Sequence, residues 1–181
     1  MINGCGKIML QDEKLQHETL CDYRSIKCFD RFCSNRYFIY CNIGIHFKSI
    51  HNTKSFDFNE KCFFKVKLNV NDDDSSLGIL YERTFRKCFL WRYFIDNEEG
   101  VLTVGFQYVG KRDKSMKYLY EISFSQGHGI KFKSGGFCLP YMEDNDEMKL
   151  HPRSLKLDIN EIFFHNVPGH VNIFFKIKPL E

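Results

Sequence analysis

Seven cysteine and histidine side chains in the first 51 residues are spaced so that they could close around metal ions. Cys5-x11-His17-x3-Cys21 offers three donors, and Cys28-x4-Cys33-x12-His46-x4-His51 offers four. Structural zinc takes four Cys or His ligands in a tetrahedron, and a cysteine pair followed by a histidine pair on a helix delivers them to one ion. In the first set, His17 and Cys21 are four residues apart, which puts both on one face of a helical turn, toward Cys5. Energetics point the same way. A segment of about fifty residues rarely builds a sufficient core, whereas structural zinc contributes on the order of 10 to 16 kcal/mol of apparent binding energy. A catalytic zinc with an open position at Cys5, His17 and Cys21 is disfavoured, because no flanking residue is an obvious general base.

The four-donor set also has the spacing of a nucleic-acid-binding finger, so its reading positions matter. Counting back from His46, these hold Ile39, Asn42 and Ile45. Base edges call for Arg, Lys, Asn or Gln, and two of the three are aliphatic. The net charge of +3 comes from 26 basic and 23 acidic residues scattered along the chain, without a block dense enough for a phosphate backbone. No nucleic-acid partner is expected. Other chemistry is thin. Ser134–Gly136 is too short for a phosphate loop and reads as a turn or bulge. The acidic run MEDNDE reads as a solvated loop. His128, His151, His165 and His170 have no partner at a telling spacing.

The elements that must position these donors can be read from composition and period. At 181 residues, the chain suits one ordinary domain plus a small module. Five of the eight cysteines and three of the seven histidines precede Asn52, so a boundary is placed near Lys54, dividing the chain into 1–54 and 55–181. In the first part QDEKLQHETL and NIGIHFKSIH can each form a short helix, the second with Ile43, Phe47 and Ile50 at helical spacing. Neither is stable alone. From Phe56 onward CFFKVKLNV, FLWRYFI, VLTVGFQYV, KYLYEISF, IKFKSGGFCL, SLKLDI and HVNIFFKI read as strands. Between them NDDDSSLG, DNEEG, GKRDKS, SQGHG, EDNDE and NVPG read as turns, with no room for helical crossovers. The 19 Phe are expected mainly in the core of this half.

The expected class is α+β: a zinc-binding module followed by an antiparallel β-sandwich. No apolar run approaches the roughly 20 residues of a spanning helix, and Lys7, Asp12 and Glu13 occupy what would be the apolar part of a signal peptide. No membrane association is expected. The cytoplasm or nucleus is the expected location, and in a reducing compartment the eight cysteines are not expected to form disulfides.

Both ligand sets, in this order, resemble the SIAH-type double zinc finger of the seven in absentia (Sina) family of RING E3 ubiquitin ligases. HETLCDYRSIKC resembles that family's junction between its two fingers. KCFLWRYF, VLTVGFQYVGKRDKSMKYLYEISF, HPRSLKLDINEIFF and HVNIFFKI resemble its TRAF-like substrate-binding domain, so the resemblance covers essentially the whole chain. It implies that Cys5, His17 and Cys21 bind a first zinc and Cys28, Cys33, His46 and His51 a second. The first zinc's remaining ligand would be a cysteine seven positions before Cys5, ahead of Met1, so either this chain is a fragment of a longer one that supplies it, or the first site is one ligand short. Cys41, the nearest spare thiol, is expected to pack in the core of the second finger.

The resemblance also implies a division of labour. A RING needs closely paired cysteines, and not one C-x2-C occurs here, so the implied role is substrate selection for ubiquitin-dependent degradation. The E2 and ubiquitin machinery would then be reached only through a RING-bearing relative or a region upstream. The family binds an extended degron peptide along a sheet edge and dimerises through its sandwich, which implies substrate proteins and a second copy of the chain as partners. The corresponding edge is expected in ILYERTF, with Leu80, Tyr81 and Thr84 as candidate peptide contacts. A RING-less adaptor or decoy that dimerises with full-length relatives is the first alternative reading, and a zinc-finger nucleic-acid-binding protein, disfavoured by its reading positions, is the second. A Cys33→Ala change is expected to unfold the zinc module and to leave the sandwich largely intact.

Overall fold

The computed structural model describes residues 5–28, 33, 37–51, 53–67, 75–126, 129–141, 145–159, 162 and 170–180. The first helix, α1 (Gln11–Leu20), places Asp12 and Glu13 in its opening turn, where carboxylates favour the positive end of the helix dipole. Its backbone leaves the helix at Cys21 in an extended conformation. A short antiparallel hairpin follows, β1 (Ser25–Lys27) and β2 (Tyr37–Ile39), with Ile26 opposite Phe38. One 3-10 turn at Tyr40–Asn42 then leads into α2 (Ile43–Ile50). Ile43, His46 and Phe47 are buried on one face of α2, the i, i+3, i+4 stripe of an amphipathic helix. Ile50 is exposed, so the expected Ile43–Phe47–Ile50 face is turned by one residue toward His46.

The remaining elements are β3 (Lys54–Phe56), β4 (Cys62–Lys67), β5 (Ser75–Glu82), β6 (Lys87–Asp96), β7 (Val101–Val109), β8 (Tyr118–Gln126), β9 (Gly129–Phe137), β10 (Leu139–Pro140), α3 (Asn145–Leu150), β11 (Leu155–Asp158) and β12 (His170–Pro179). One sheet runs β10-β7-β6-β5-β3, with β11 also on β7; the other runs β4-β12-β8-β9. Alternation places Cys62, Phe64 and Val66 of β4 inward, as it does Val171, Ile173, Phe175 and Ile177 of β12, because successive strand residues point to opposite faces. These residues meet Leu80, Phe89, Tyr93, Val104 and Phe106 of the first sheet in one core, so the two sheets pack face to face.

In the first sheet β6 and β7 are buried almost continuously, the signature of strands covered on both faces. The second cover is the N-terminal module. Ile26, Tyr40, Ile43 and Phe47 form one cluster with Ile79, Cys88, Leu90 and Val109 of the sheet. Gly44 makes that approach possible, since a Cβ there would lie 3.2 Å from the Cys88 Cβ. Tyr40 reinforces it, its hydroxyl donating to the Gly110 carbonyl and accepting from the Gly110 N–H at 3.3 Å.

Several expectations are corrected. All seven expected strands form, but the pairs β3–β5 and β10–β7 are parallel. Both are short edge additions that no alternation pattern announces. Lys54 opens β3, which belongs to the sheet, so the boundary near Lys54 falls at the first residue of a strand shared with the second part. Ser134–Gly136 lie inside β9, where a Gly135 Cβ would come within 2.3 Å of the Tyr120 carbonyl oxygen; the irregularity falls instead on β8, between Phe124 and Ser125. The end of EDNDE opens α3, and Met148 of that helix is wholly buried with Leu139 and Phe94. Of the expected turn NDDDSSLG, Ser75–Gly78 lie inside β5, and of SQGHG, Ser125 and Gln126 end β8 while Gly129 opens β9; residues 71–74, 127–128 and 166–169, with His128 and His165, lie outside the described residues. Among the described residues no helix is long and apolar enough to cross a membrane.

Trp91 shows how tightly the interior is specified. Its ring stacks on Phe64 at 4.1 Å and 11°, and it lies over Gly78, its partner across the β5–β6 ladder. A Cβ at Gly78 would fall 2.2 Å from the indole nitrogen. Gly78→Ala is therefore expected to displace Trp91 and to cost about 1–3 kcal/mol. Denaturant unfolding with tryptophan fluorescence checks this: a lowered midpoint and a shifted native emission are expected, and an unchanged midpoint would contradict it.

Candidate metal centre

The four-donor set converges. Cys28 Sγ lies 3.3 Å from His51 Nε2, Cys33 Sγ lies 3.7 Å from His46 Nε2, and the two histidine Nε2 atoms are 3.1 Å apart. All four donor atoms lie within 4.8 Å of one another. A tetrahedron with zinc–sulphur bonds near 2.3 Å and zinc–nitrogen bonds near 2.05 Å has edges of about 3.3–3.8 Å. The three distances are the edges of such a tetrahedron to within a few tenths of an ångström, so the donor set fits zinc.

Local structure explains the convergence. Cys28 follows β1, and His46 sits one helical turn from Ile43 on the buried face of α2. His51 follows the last turn of that helix, where its N–H donates to the Phe47 carbonyl at 3.1 Å and its backbone turns extended. The Thr53 hydroxyl donates to the same carbonyl at 2.8 Å. Phe38 on β2 stacks on the His46 ring at 3.6 Å and holds its plane. Cys28, Cys33 and His46 are buried and His51 is half-buried. Burying such polar groups is costly unless they coordinate or pair, and a metal satisfies all of them at once.

The three-donor set also converges. Cys5 Sγ is 3.3 Å from His17 Nε2, and Cys21 Sγ lies within 4.8 Å of both. α1 carries His17, and Cys21 immediately follows its last residue. Cys21 Sγ accepts the Tyr23 N–H at 3.4 Å. Without metal, burial pushes the Cys21 thiol up, against the pull of that N–H, and the neighbouring Cys5 sulphur adds to the rise. A divalent cation reverses this balance, because it binds the thiolate. These three side chains would occupy three corners of a zinc site.

The remaining cysteines divide by burial. Burial pushes the Cys88 thiol up to about 12 and raises Cys138 and Cys62 as well, so these three are apolar core groups rather than ligands. Cys41 is exposed, which corrects its expected place in the core of the second finger. The candidate peptide contacts are also relocated. Leu80 is wholly buried in the inter-sheet core, Tyr81 is buried with the Lys48 ammonium 4.5 Å from its ring centre, and Thr84 is exposed in the turn after β5. That turn is held by the buried Glu82 carboxylate, which accepts the Thr84 and Phe85 N–H groups at 3.0 and 2.7 Å. β3 pairs with Leu80–Glu82, so the expected free edge in ILYERTF is covered there. Among the described residues it is open only before Leu80.

Sequence reasoning missed Phe38, Tyr40 and Gly44 as supports of the site. Gly44 gave a signal: a glycine inside a short helix costs about 1 kcal/mol relative to alanine and asks for a packing reason. No family model and no curated protein matches the chain.

Native mass spectrometry of the zinc-loaded chain is expected to find two zinc ions, and Cys33→Ala to remove one. Because Ile43 and Phe47 share a core with Leu90 and Val109, the same variant is expected to lower the melting temperature of the sandwich also; unchanged sandwich melting would restore two independent modules. Zinc favours the neutral imidazoles and thiolates, so the stability it confers is lost as pH falls through the ordinary histidine range near 6.5 and below. Zinc release on acidification, followed with a chromogenic chelator, checks the sign.

Proposed function

We propose that the chain is the substrate-recognition part of a Sina-type ubiquitin ligase: a SIAH-type double zinc finger seated on a TRAF-like sandwich that presents bound degron peptides to a RING. The observation that carries this reading is the convergence of seven Cys and His donors into two sites beside a two-sheet sandwich, in the order Cys5, His17, Cys21, then Cys28, Cys33, His46, His51. The zinc module serves as structure in this reading. The sandwich binds substrate proteins and a second copy of the chain, and transfer chemistry belongs to a RING-bearing relative or an upstream region with its E2. Such work belongs to the cytoplasm or nucleus.

The N-terminal half of β5, Ser75–Ile79, is where a degron strand would add. There the backbone has β6 on one side and no strand on the other among the described residues. Added strands gain affinity from main-chain hydrogen bonds and specificity from alternate side chains. A RING-less adaptor or decoy would use the same edge and dimer, without transfer.

Panning a random dodecapeptide library against the zinc-loaded chain tests the recognition step. Extended peptides are expected, and N-methylation of their alternate amides should weaken binding at least tenfold. Selected peptides indifferent to N-methylation would contradict strand addition. With E1, E2 and ubiquitin the chain alone is expected to form no ubiquitin chains, and a RING-bearing relative to restore them on a bound substrate. Failure of restoration favours the decoy.

A further inference from the structure

Where the zinc module meets the sheet, the chain leaves a cleft of about 730 Å³. α2 contributes Lys48, the end of the β5–β6 turn and the first residue of β6 contribute Arg86 and Lys87, and the segment after β7 contributes Lys111 and Lys114. Three separate stretches thus bring five cations to one hollow, against a single lining carboxylate, Asp22. Lys111 lies 3.4 Å from Asp22. Among the described residues the other four cations have no carboxylate partner. Like charges converging on a cleft with low-dielectric walls focus a positive field into it, and an anion offsets their mutual repulsion.

The walls select among anions. Tyr40, Tyr81 and Tyr108 line the cleft, yet each is at most 8% exposed. Their ring faces are not offered to bases, and single-stranded nucleic acid needs such stacking platforms. The volume exceeds what one phosphate fills and lies within the range of about 300–1,000 Å³ that small ligands and short peptide stretches occupy. Cations distributed on both walls suit several anionic groups in succession along a chain.

We propose that this cleft binds an acidic peptide segment, whose carboxylates or phosphoserine phosphates pair with Lys48, Arg86, Lys87, Lys111 and Lys114. The site is separate from the Ser75–Ile79 edge and stands on its own geometry, whether or not the ubiquitin reading holds. Cys41 is exposed and lines the same cleft, which makes it a built-in footprint reporter.

The test titrates the zinc-loaded full chain with fluorescein-labelled octaglutamate, a Ser-Gly octapeptide carrying three phosphoserines, its unmodified counterpart and a twelve-nucleotide oligothymidylate. At least one anionic peptide is expected to bind, more weakly as salt rises, and to slow alkylation of Cys41 by N-ethylmaleimide. The unmodified peptide should not bind. The ratio of octaglutamate to phosphopeptide affinity identifies which anion the cleft prefers. Lys48→Glu with Lys114→Glu should weaken binding about tenfold, while Lys65→Glu on β4 leaves it unchanged. If the double variant does not fold, Lys48→Gln gives the same direction at about threefold. Absence of binding by both anionic peptides, or binding that leaves Cys41 alkylation unslowed, would overturn the proposal. Tighter binding of oligothymidylate with Cys41 protection would replace the peptide by nucleic acid. Loss of the N-methylation effect at the β5 edge would sink the degron reading alone and leave this site untouched.

Discussion

Helix α2 meets two demands with one face. Its buried stripe delivers His46 to the four-donor cluster and, on the same turn, sets Ile43 and Phe47 against the outer face of the sheet. Metal coordination at that cluster and packing on the sheet would therefore hold the helix together. An eight-residue helix is unstable in isolation, so neither demand can be dropped without weakening the other. Gly44 lets the helix come close, and Tyr40 ties its entrance to Gly110 at the end of β7. The rest of the N-terminal module is arranged around this seat: β1 and β2 bring Cys28 and Phe38 to the metal side, and β3 continues from α2 directly into the sheet.

Aromatic packing sets the interior of the other half. Phe106 lies 4.9 Å from Tyr120 and 5.1 Å from Phe175, and Phe89 lies 5.1 Å from Tyr118, tilted and edge-on arrangements that suit the ring quadrupole. Such large side chains leave little tolerance where backbones approach. Glycine is used at those points: Gly78 beneath Trp91, and Gly135 against the Tyr120 carbonyl. The first sheet is buried on both faces along β6 and β7, and the basic cleft lies where α2 meets its outer face.

Much of this architecture was legible in the sequence, for physical reasons that can be stated. Period-two runs such as CFFKVK and HVNIFFKI announced β4 and β12 because each has one wet face. Donor spacing announced both clusters because coordination restricts which residues can meet. Parts without a local signal were misread. β5 looked like a free edge since nothing in KSF shows that three residues will pair beside Leu80, and SGG looked like a turn although it serves a close strand approach within β9. Cys41 was assigned to a core it does not reach, because burial of one thiol has no period to betray it. The sharing of one core by the N-terminal module and the sheet was likewise invisible, since the cluster that holds Phe47 also holds Leu90, more than forty residues away in sequence.

If metal binding and sheet packing form one cooperative unit, withdrawing the metal must loosen the sheet beneath α2. Hydrogen exchange of the β6 and β7 amides, compared between the zinc-loaded chain and the same chain held in chelator, tests it most directly. The amides from Cys88 to Leu90 and at Val109, beneath α2, are expected to lose protection together with those of α2 itself when zinc is withdrawn. Retained protection at those sheet positions while α2 exchanges freely would contradict it.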